Sequence, residues 1–73
     1  MLYTQADHRV IATELRLMQM GLEEAVAVKI APRLTFGVIT QVTTNADVVA
    51  VDFSVNGAAR TAFYDVKGNA IAA

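Results

Sequence analysis

The chain contains no cysteine, no tryptophan, one proline and one histidine. Without cysteine it can form neither a disulfide nor a thiolate-ligated zinc site. The single histidine, His8, cannot build a histidine-rich metal centre. The sequence also lacks an apolar run of about 18 residues, so we expect no membrane-spanning helix. These absences exclude the covalent and metal cross-links that often stabilise small domains, and we expect no cofactor.

Charge is scarce and balanced. Six Lys and Arg residues face seven Asp and Glu residues, which gives a formal net charge of −1. Nucleic-acid binding requires clustered Lys and Arg to displace counterions, so we expect no nucleic-acid partner. Residues 1–7 do not combine a basic start with an apolar run, so we expect no signal peptide and a cytoplasmic protein.

Apolar residues, in contrast, are abundant. They make up 55% of the 73 residues, against about 45–50% in ordinary globular domains. A chain of this length forms one domain, residues 1–73, and buries only about 60% of the surface of its unfolded state. The apolar excess and the marginal size together favour a partner chain, and a homodimer is one candidate assembly.

The first part of the chain has the periodicity of an amphipathic helix, predicted over about residues 5–31. Thr4 is a candidate N-cap with Asp7 three residues later, and Pro32 ends the helix. Gly21 either breaks this helix in two or is tolerated inside it. One apolar stripe at helical spacing contains Ile11, Leu15, Met18 and Leu22.

Residues 22–31 also allow a second interpretation. Val26, Val28 and Ile30 alternate with other residues as in a strand, while the flanking Glu and Ala residues favour a helix. We predict a helix here.

From residue 34 onwards the apolar period changes to two, which predicts three strands at about 34–43, 48–55 and 58–66. Asn56-Gly57 is the strongest hairpin signal in the sequence and pairs Val55 with Ala58. The expected fold is therefore α+β, with the helix packed on a three-stranded antiparallel meander in the order α-β-β-β.

The pairing register assigns the strand residues to two faces. A four-residue loop at 44–47 would pair Val42 with Val49 and Val38 with Phe53. This register places most of the apolar strand residues on one face, which we predict to be the core. The opposite, outer face is mixed, because it carries Ile39, Val48 and Phe63 among polar residues.

Six residues are candidates for binding a partner. Ile39, Val48 and Phe63 would form an apolar patch on the outer sheet face. Leu17 and Met20 fall outside the main helix stripe and would lie exposed on the back of the helix. Arg60 is predicted opposite Phe53, where it either extends past the sheet edge into solvent or contacts a partner.

No motif for catalysis or nucleotide binding occurs. His8 is interpreted as a residue at the start of a helix rather than as a general base. Glu23 and Glu24 are adjacent and do not share a helix face. Asp52 and Asp65 lie on neighbouring strands but too far apart to hold one metal ion. We therefore predict a protein that is not an enzyme.

Two functions are consistent with these features. The leading hypothesis is a small protein-interaction module. Chains of this kind are often encoded by phages or mobile elements, and this one would then act as an inhibitor or adaptor of a host protein. The alternative is a structural subunit that self-assembles through the outer sheet face.

Overall fold

A computed structural model describes residues 4–71, except for the side chain of Ala6. Residues 1–3 and 72–73 lie outside the described residues. The expectation that residues 1–7 contain no signal peptide therefore falls partly outside them, as does the end of the predicted domain. The predicted α+β fold is confirmed, with a helical N-terminal part followed by a three-stranded sheet. In chain order the elements are α1 (Gln5–Gln19), α2 (Glu24–Ile30), a 3₁₀ turn (Ala31–Arg33), β1 (Val38–Asn45), β2 (Val48–Val55) and β3 (Ala58–Asp65).

Helix α1 begins with the predicted cap. The Asp7 N–H donates to Thr4 Oγ1 at 3.1 Å, and the Thr4 N–H donates to Asp7 Oδ2 at 2.9 Å. These reciprocal bonds satisfy backbone donors that have no partner inside the helix. Donation from the Thr4 backbone to the carboxylate lowers the pKa of Asp7 below its usual value.

Gly21 breaks the predicted long helix in two. It has φ of +108°, a conformation that L-residues with a side chain rarely adopt. The Leu22 N–H donates to the Leu17 carbonyl at 3.1 Å, and the Gly21 N–H donates to the Met18 carbonyl at 3.0 Å. This pair of bonds is the Schellman motif that closes a helix C-terminus. The chain then enters α2, so the helical interpretation of the following segment is correct.

The second hairpin follows its predicted register throughout. Val55 pairs with Ala58, and the pairing continues without a shift to Val48 opposite Asp65. Asn56 and Gly57 both have positive φ, as a type I′ turn requires. The β2 and β3 boundaries were predicted to within one residue.

The first hairpin differs from its prediction in two ways. A two-residue turn at Ala46-Asp47 replaces the four-residue loop, so Val42 pairs with Val51 rather than Val49. A bulge between Ile39 and Gln41 then adds one residue to β1. Because side chains alternate between faces, one extra residue reverses the face of every residue before the bulge.

This reversal exchanges two neighbouring side chains. Ile39 pairs with Phe53 and is 3% exposed, whereas Val38 pairs with Ser54 and is 67% exposed. The prediction that Val38 faces the core and Ile39 faces outward is therefore wrong. Arg16 in α1 helps to hold the bulge, because its Nε donates to the Ile39 carbonyl at 3.4 Å.

The core lies between the helices and one face of the sheet. Helix α1 packs mainly on α2 and the 3₁₀ turn and also touches β1. Leu15 of the predicted stripe is 53% exposed, whereas Leu17 is fully buried. The face of α1 that packs inward is thus rotated from the predicted one. The largest fully buried side chains are Leu17, Ile30, Leu34 and Val51.

Candidate functional site

The outer sheet face, opposite the helices, carries a small apolar patch. Ala50 and Phe63 are paired across β2 and β3, and Val48 lies diagonally from Phe63. Ile71 lies beside Phe63, because its N–H donates to the Phe63 carbonyl at 2.9 Å. We call these four residues the outer patch. Val48, Phe63 and Ile71 are 39%, 39% and 40% exposed.

Ile71 reaches the outer patch because the chain turns back after β3. The Asp65 N–H donates to the Asn69 carbonyl at 2.8 Å, and Tyr64 and Ala70 form an antiparallel bridge. Residues 69–71 therefore pair with one end of β3 through an isolated antiparallel bridge beside the three-stranded sheet. Because side chains alternate between faces along residues 69–71, Ala70 lies on the face of Tyr64 and Ile71 on the face of Phe63.

The carboxylate of Asp65 holds this turn in place. Its Oδ1 accepts from the backbone N–H groups of Lys67 and Asn69, both at 2.9 Å. The Asn69 backbone donation is the main cause that lowers the pKa of Asp65, and the Lys29 charge also contributes. Lys29 Nζ in turn donates to Asn69 Oδ1 at 2.6 Å, which ties the turn to α2.

The position of Ile71 is expected to depend on pH through the protonation of Asp65. Since the pKa of Asp65 is lower in the folded state, its stabilising contribution is present above the unfolded pKa and is lost as pH falls through the folded value. The amide signals of Asn69 and Ile71 should therefore shift together below about pH 4, with a midpoint below 3.8. An NMR titration measures this midpoint. Asp65→Asn is the control, because it keeps an acceptor oxygen and should remove the transition; a midpoint at or above 3.8 would contradict the assignment.

Polar side chains border the outer patch along the sheet. The Thr61 hydroxyl donates to Asp52 Oδ1 at 2.6 Å, and these residues are paired across β2 and β3. The Thr40 hydroxyl, at the bulge, donates to the Asp52 backbone carbonyl at 3.1 Å. The patch thus ends at a row of hydrogen-bonded polar groups, as the edge of a protein interface commonly does.

The structure brings together two of the six predicted binding residues. Val48 and Phe63 are both on the outer face as predicted. Ile39 belongs to the core because of the bulge, so its predicted place beside them is wrong. Leu17 is 0% exposed, so the prediction that it lies on the back of the helix is also wrong.

The remaining two predicted residues lie elsewhere. Met20 is the C-cap of α1 and is half-buried. Arg60 pairs with Phe53 as predicted and its side chain is exposed. It alternates onto the face opposite Phe63, so it does not join the outer patch.

Ala50 and Ile71 were missed as members of this surface. Ala50 is small and gives no distinct pattern by itself. The signal for Ile71 was the Asp65…Gly68-Asn69 spacing, because an Asp can accept from backbone N–H groups and Gly68 adopts φ of +88°. Other exposed apolar residues lie outside the patch, on α1, on α2 and around the strand ends: Ile11, Leu15, Val28, Phe36, Val38 and Val66.

A shallow cleft opens at the junction of the helices and the sheet. Its volume is about 400 Å³. Glu23 and Thr44 line it together with an apolar set: Gly21, Leu22, Val26, Val49 and Val66. The buried members of this set belong to the core, so the cleft is the point where the core approaches solvent.

Among residues 4–71, Tyr64 is the only buried residue whose side chain carries a polar group. The same residues contain no group of three potential metal ligands. Tyr64 is 4% exposed, and burial raises the pKa of its hydroxyl, with a smaller opposing effect from Arg33. No helix within the described part of the chain is both long and apolar enough to cross a bilayer.

The chain matches no protein-family model, no curated protein and no solved structure.

Proposed function

We propose that this chain is a non-enzymatic protein-interaction module that binds another protein through the outer patch, as an inhibitor or adaptor does. The observation that carries the proposal is the contrast between the two sheet faces. Helices cover one face, whereas Val48, Phe63 and Ile71 on the other face remain about two-fifths exposed. Contiguous apolar surface of this kind marks interaction sites.

Site-specific crosslinking in the source cell tests this proposal. Phe63 is replaced by the photo-crosslinking amino acid p-benzoylphenylalanine, and in a matched variant Ile11 on α1 is replaced instead. The two side chains are 39% and 38% exposed, so they differ in location rather than accessibility. We expect a discrete adduct with another protein from position 63 and a much weaker one from position 11. Equal adducts from both positions, or none from position 63, would contradict the proposal.

The self-assembling subunit remains the alternative function and gives a different result. If the adduct from position 63 is a second copy of this chain, and sedimentation equilibrium gives twice the monomer mass, the outer patch is a self-association surface. Phe63→Asp should then return the mass to 7.8 kDa.

A further inference from the structure

We infer that the occupant of the outer patch is a cationic amphipathic helix of the partner protein, whose apolar stripe covers Phe63 and whose Lys or Arg pairs with Asp52. This inference rests on the proposed function and names the chemistry of the partner.

The outer face carries charge of one sign only. Among the outer-face positions of the three strands and residues 69–71, Asp52 and Asp65 are charged, and no Lys or Arg shares that face. Asp65 is engaged by its turn and lies near Lys29, which lowers its pKa. The Asp52 carboxylate accepts a hydrogen bond from the Thr61 hydroxyl, and no Lys or Arg among the described residues forms an ion pair with it. Asp52 is therefore the uncompensated charge beside the patch.

A single segment lying on this face must satisfy its own backbone. An extended peptide placed flat on a sheet face would leave its N–H and C=O groups without partners. A helix satisfies these groups internally and presents an apolar stripe at i, i+3, i+4 and i+7. Helix on sheet is also the packing on the opposite face of this domain.

A second copy of this chain fits the charges poorly. Two outer faces packed against each other would enclose two uncompensated Asp52 carboxylates, and neither face supplies a Lys or Arg. Like charges placed opposite each other across an interface are unfavourable and select against that partner. The negative charge of the outer face instead attracts a partner that carries Lys or Arg beside its apolar residues.

The spacing of the patch fits one helix. Asp52 pairs with Thr61, two residues before Phe63 on β3. This places Asp52 about 8 Å from Phe63 at ~3.4 Å per residue along a strand and ~4.8 Å between strands. A helix rises about 5.4 Å per turn, so a Lys or Arg one to two turns from the apolar anchor reaches Asp52. Four paired segments are roughly 14 Å wide, which accommodates one helix of 10–12 Å diameter.

Three matched peptides test the inference on the whole chain. Each has about 16 residues and leucines at i, i+3, i+4 and i+7, and they differ only in Lys, Gln or Glu at the flanking positions. NMR titration of the amide signals gives both the affinity and the location. We expect the Lys peptide to shift Val48, Ala50, Phe63 and Ile71 most and to bind about five- to tenfold more tightly than the Glu peptide at low salt.

Two variants isolate the charge from the apolar contact. Asp52→Asn keeps an acceptor for Thr61 and removes the charge, so it should reduce the Lys-to-Glu ratio to about twofold or less. Phe63→Asp should abolish binding of all three peptides at the outer patch.

The outcomes separate this inference from the proposed function. If all three peptides shift the outer patch with equal affinity, the patch binds apolar helices but the charge selection is wrong. If the Lys peptide shifts residues elsewhere, or does not bind at millimolar concentration, the inference is overturned, whereas the proposed function is decided separately by the adduct from position 63.

Discussion

Leu17→Ala should lower the free energy of unfolding by about 3 kcal/mol, whereas Leu15→Ala should cost less than about 1 kcal/mol. Both substitutions remove the same atoms from the same helix, and alanine favours helix at both positions. They differ in burial, because Leu17 is 0% exposed and Leu15 is 53% exposed. The loss at Leu17 combines the lost transfer free energy with the cavity left among its buried neighbours.

Urea unfolding followed by circular dichroism measures both variants. A domain of 73 residues has a stability of about 4–11 kcal/mol at 0.05–0.15 kcal/mol per residue, so the loss at Leu17 is a large fraction of the total. If Leu15→Ala proved the more destabilising of the two, the predicted stripe through Ile11 and Leu15 would be the packed face and α1 would be rotated about its axis.

Ile39→Asp should lower the free energy of unfolding by more than about 4 kcal/mol, whereas Val38→Asp should keep a stability within about 0.5 kcal/mol of wild type. Ile39 is 3% exposed within the core, where an unpaired carboxylate costs more than about 4 kcal/mol. Val38 is 67% exposed and projects from the other face of β1. The same substitution at two adjacent residues thus has very different effects on stability, because the bulge places the two side chains on different faces.

Circular dichroism and amide-signal dispersion distinguish the two variants directly. The same pair tests the register of β1. With the observed turn, a continuous β1 without a bulge would place Val38 opposite Val55 on the core face. The result would then be reversed, and Val38→Asp would be the more destabilising substitution. Ile39→Val serves as the conservative control and should cost about 1 kcal/mol.

The sequence predicted local structure best where a residue type enforces a backbone conformation. Asn56-Gly57 adopts two positive φ angles at low cost, so the second hairpin and its register were predicted correctly. At Gly21 the sequence allowed either a helix end or a glycine tolerated within one helix, and the positive φ of Gly21 shows the first of these. In the first hairpin Ala46 has φ of +54° without glycine at the turn. No residue there indicated a two-residue turn, and a longer loop was expected instead.

The candidate site could be predicted only in part, because a bulge changes the sheet face to which the alternating residues of a strand point. Val48 and Phe63 lie in the regular hairpin, where alternation alone gives the face. Ile39 lies beyond the bulge, and neither Thr40 nor Gln41 gives a signal for an extra residue. Leu17 was misassigned because α1 packs mainly on α2 and the 3₁₀ turn rather than flat on the sheet. The apolar stripe that was expected to face the sheet is therefore not the buried side of the helix.

The bulge in β1 also changes the exposed edge of the sheet. β1 is an edge strand, and an edge with regular backbone groups can recruit strands from other molecules and begin aggregation. The extra residue between Ile39 and Gln41 interrupts the hydrogen-bonding repeat of that edge. A strand from another molecule would therefore not find a continuous row of backbone N–H and C=O groups along β1. The molecule can therefore leave apolar side chains exposed on a sheet face without offering that edge as a template for fibril growth.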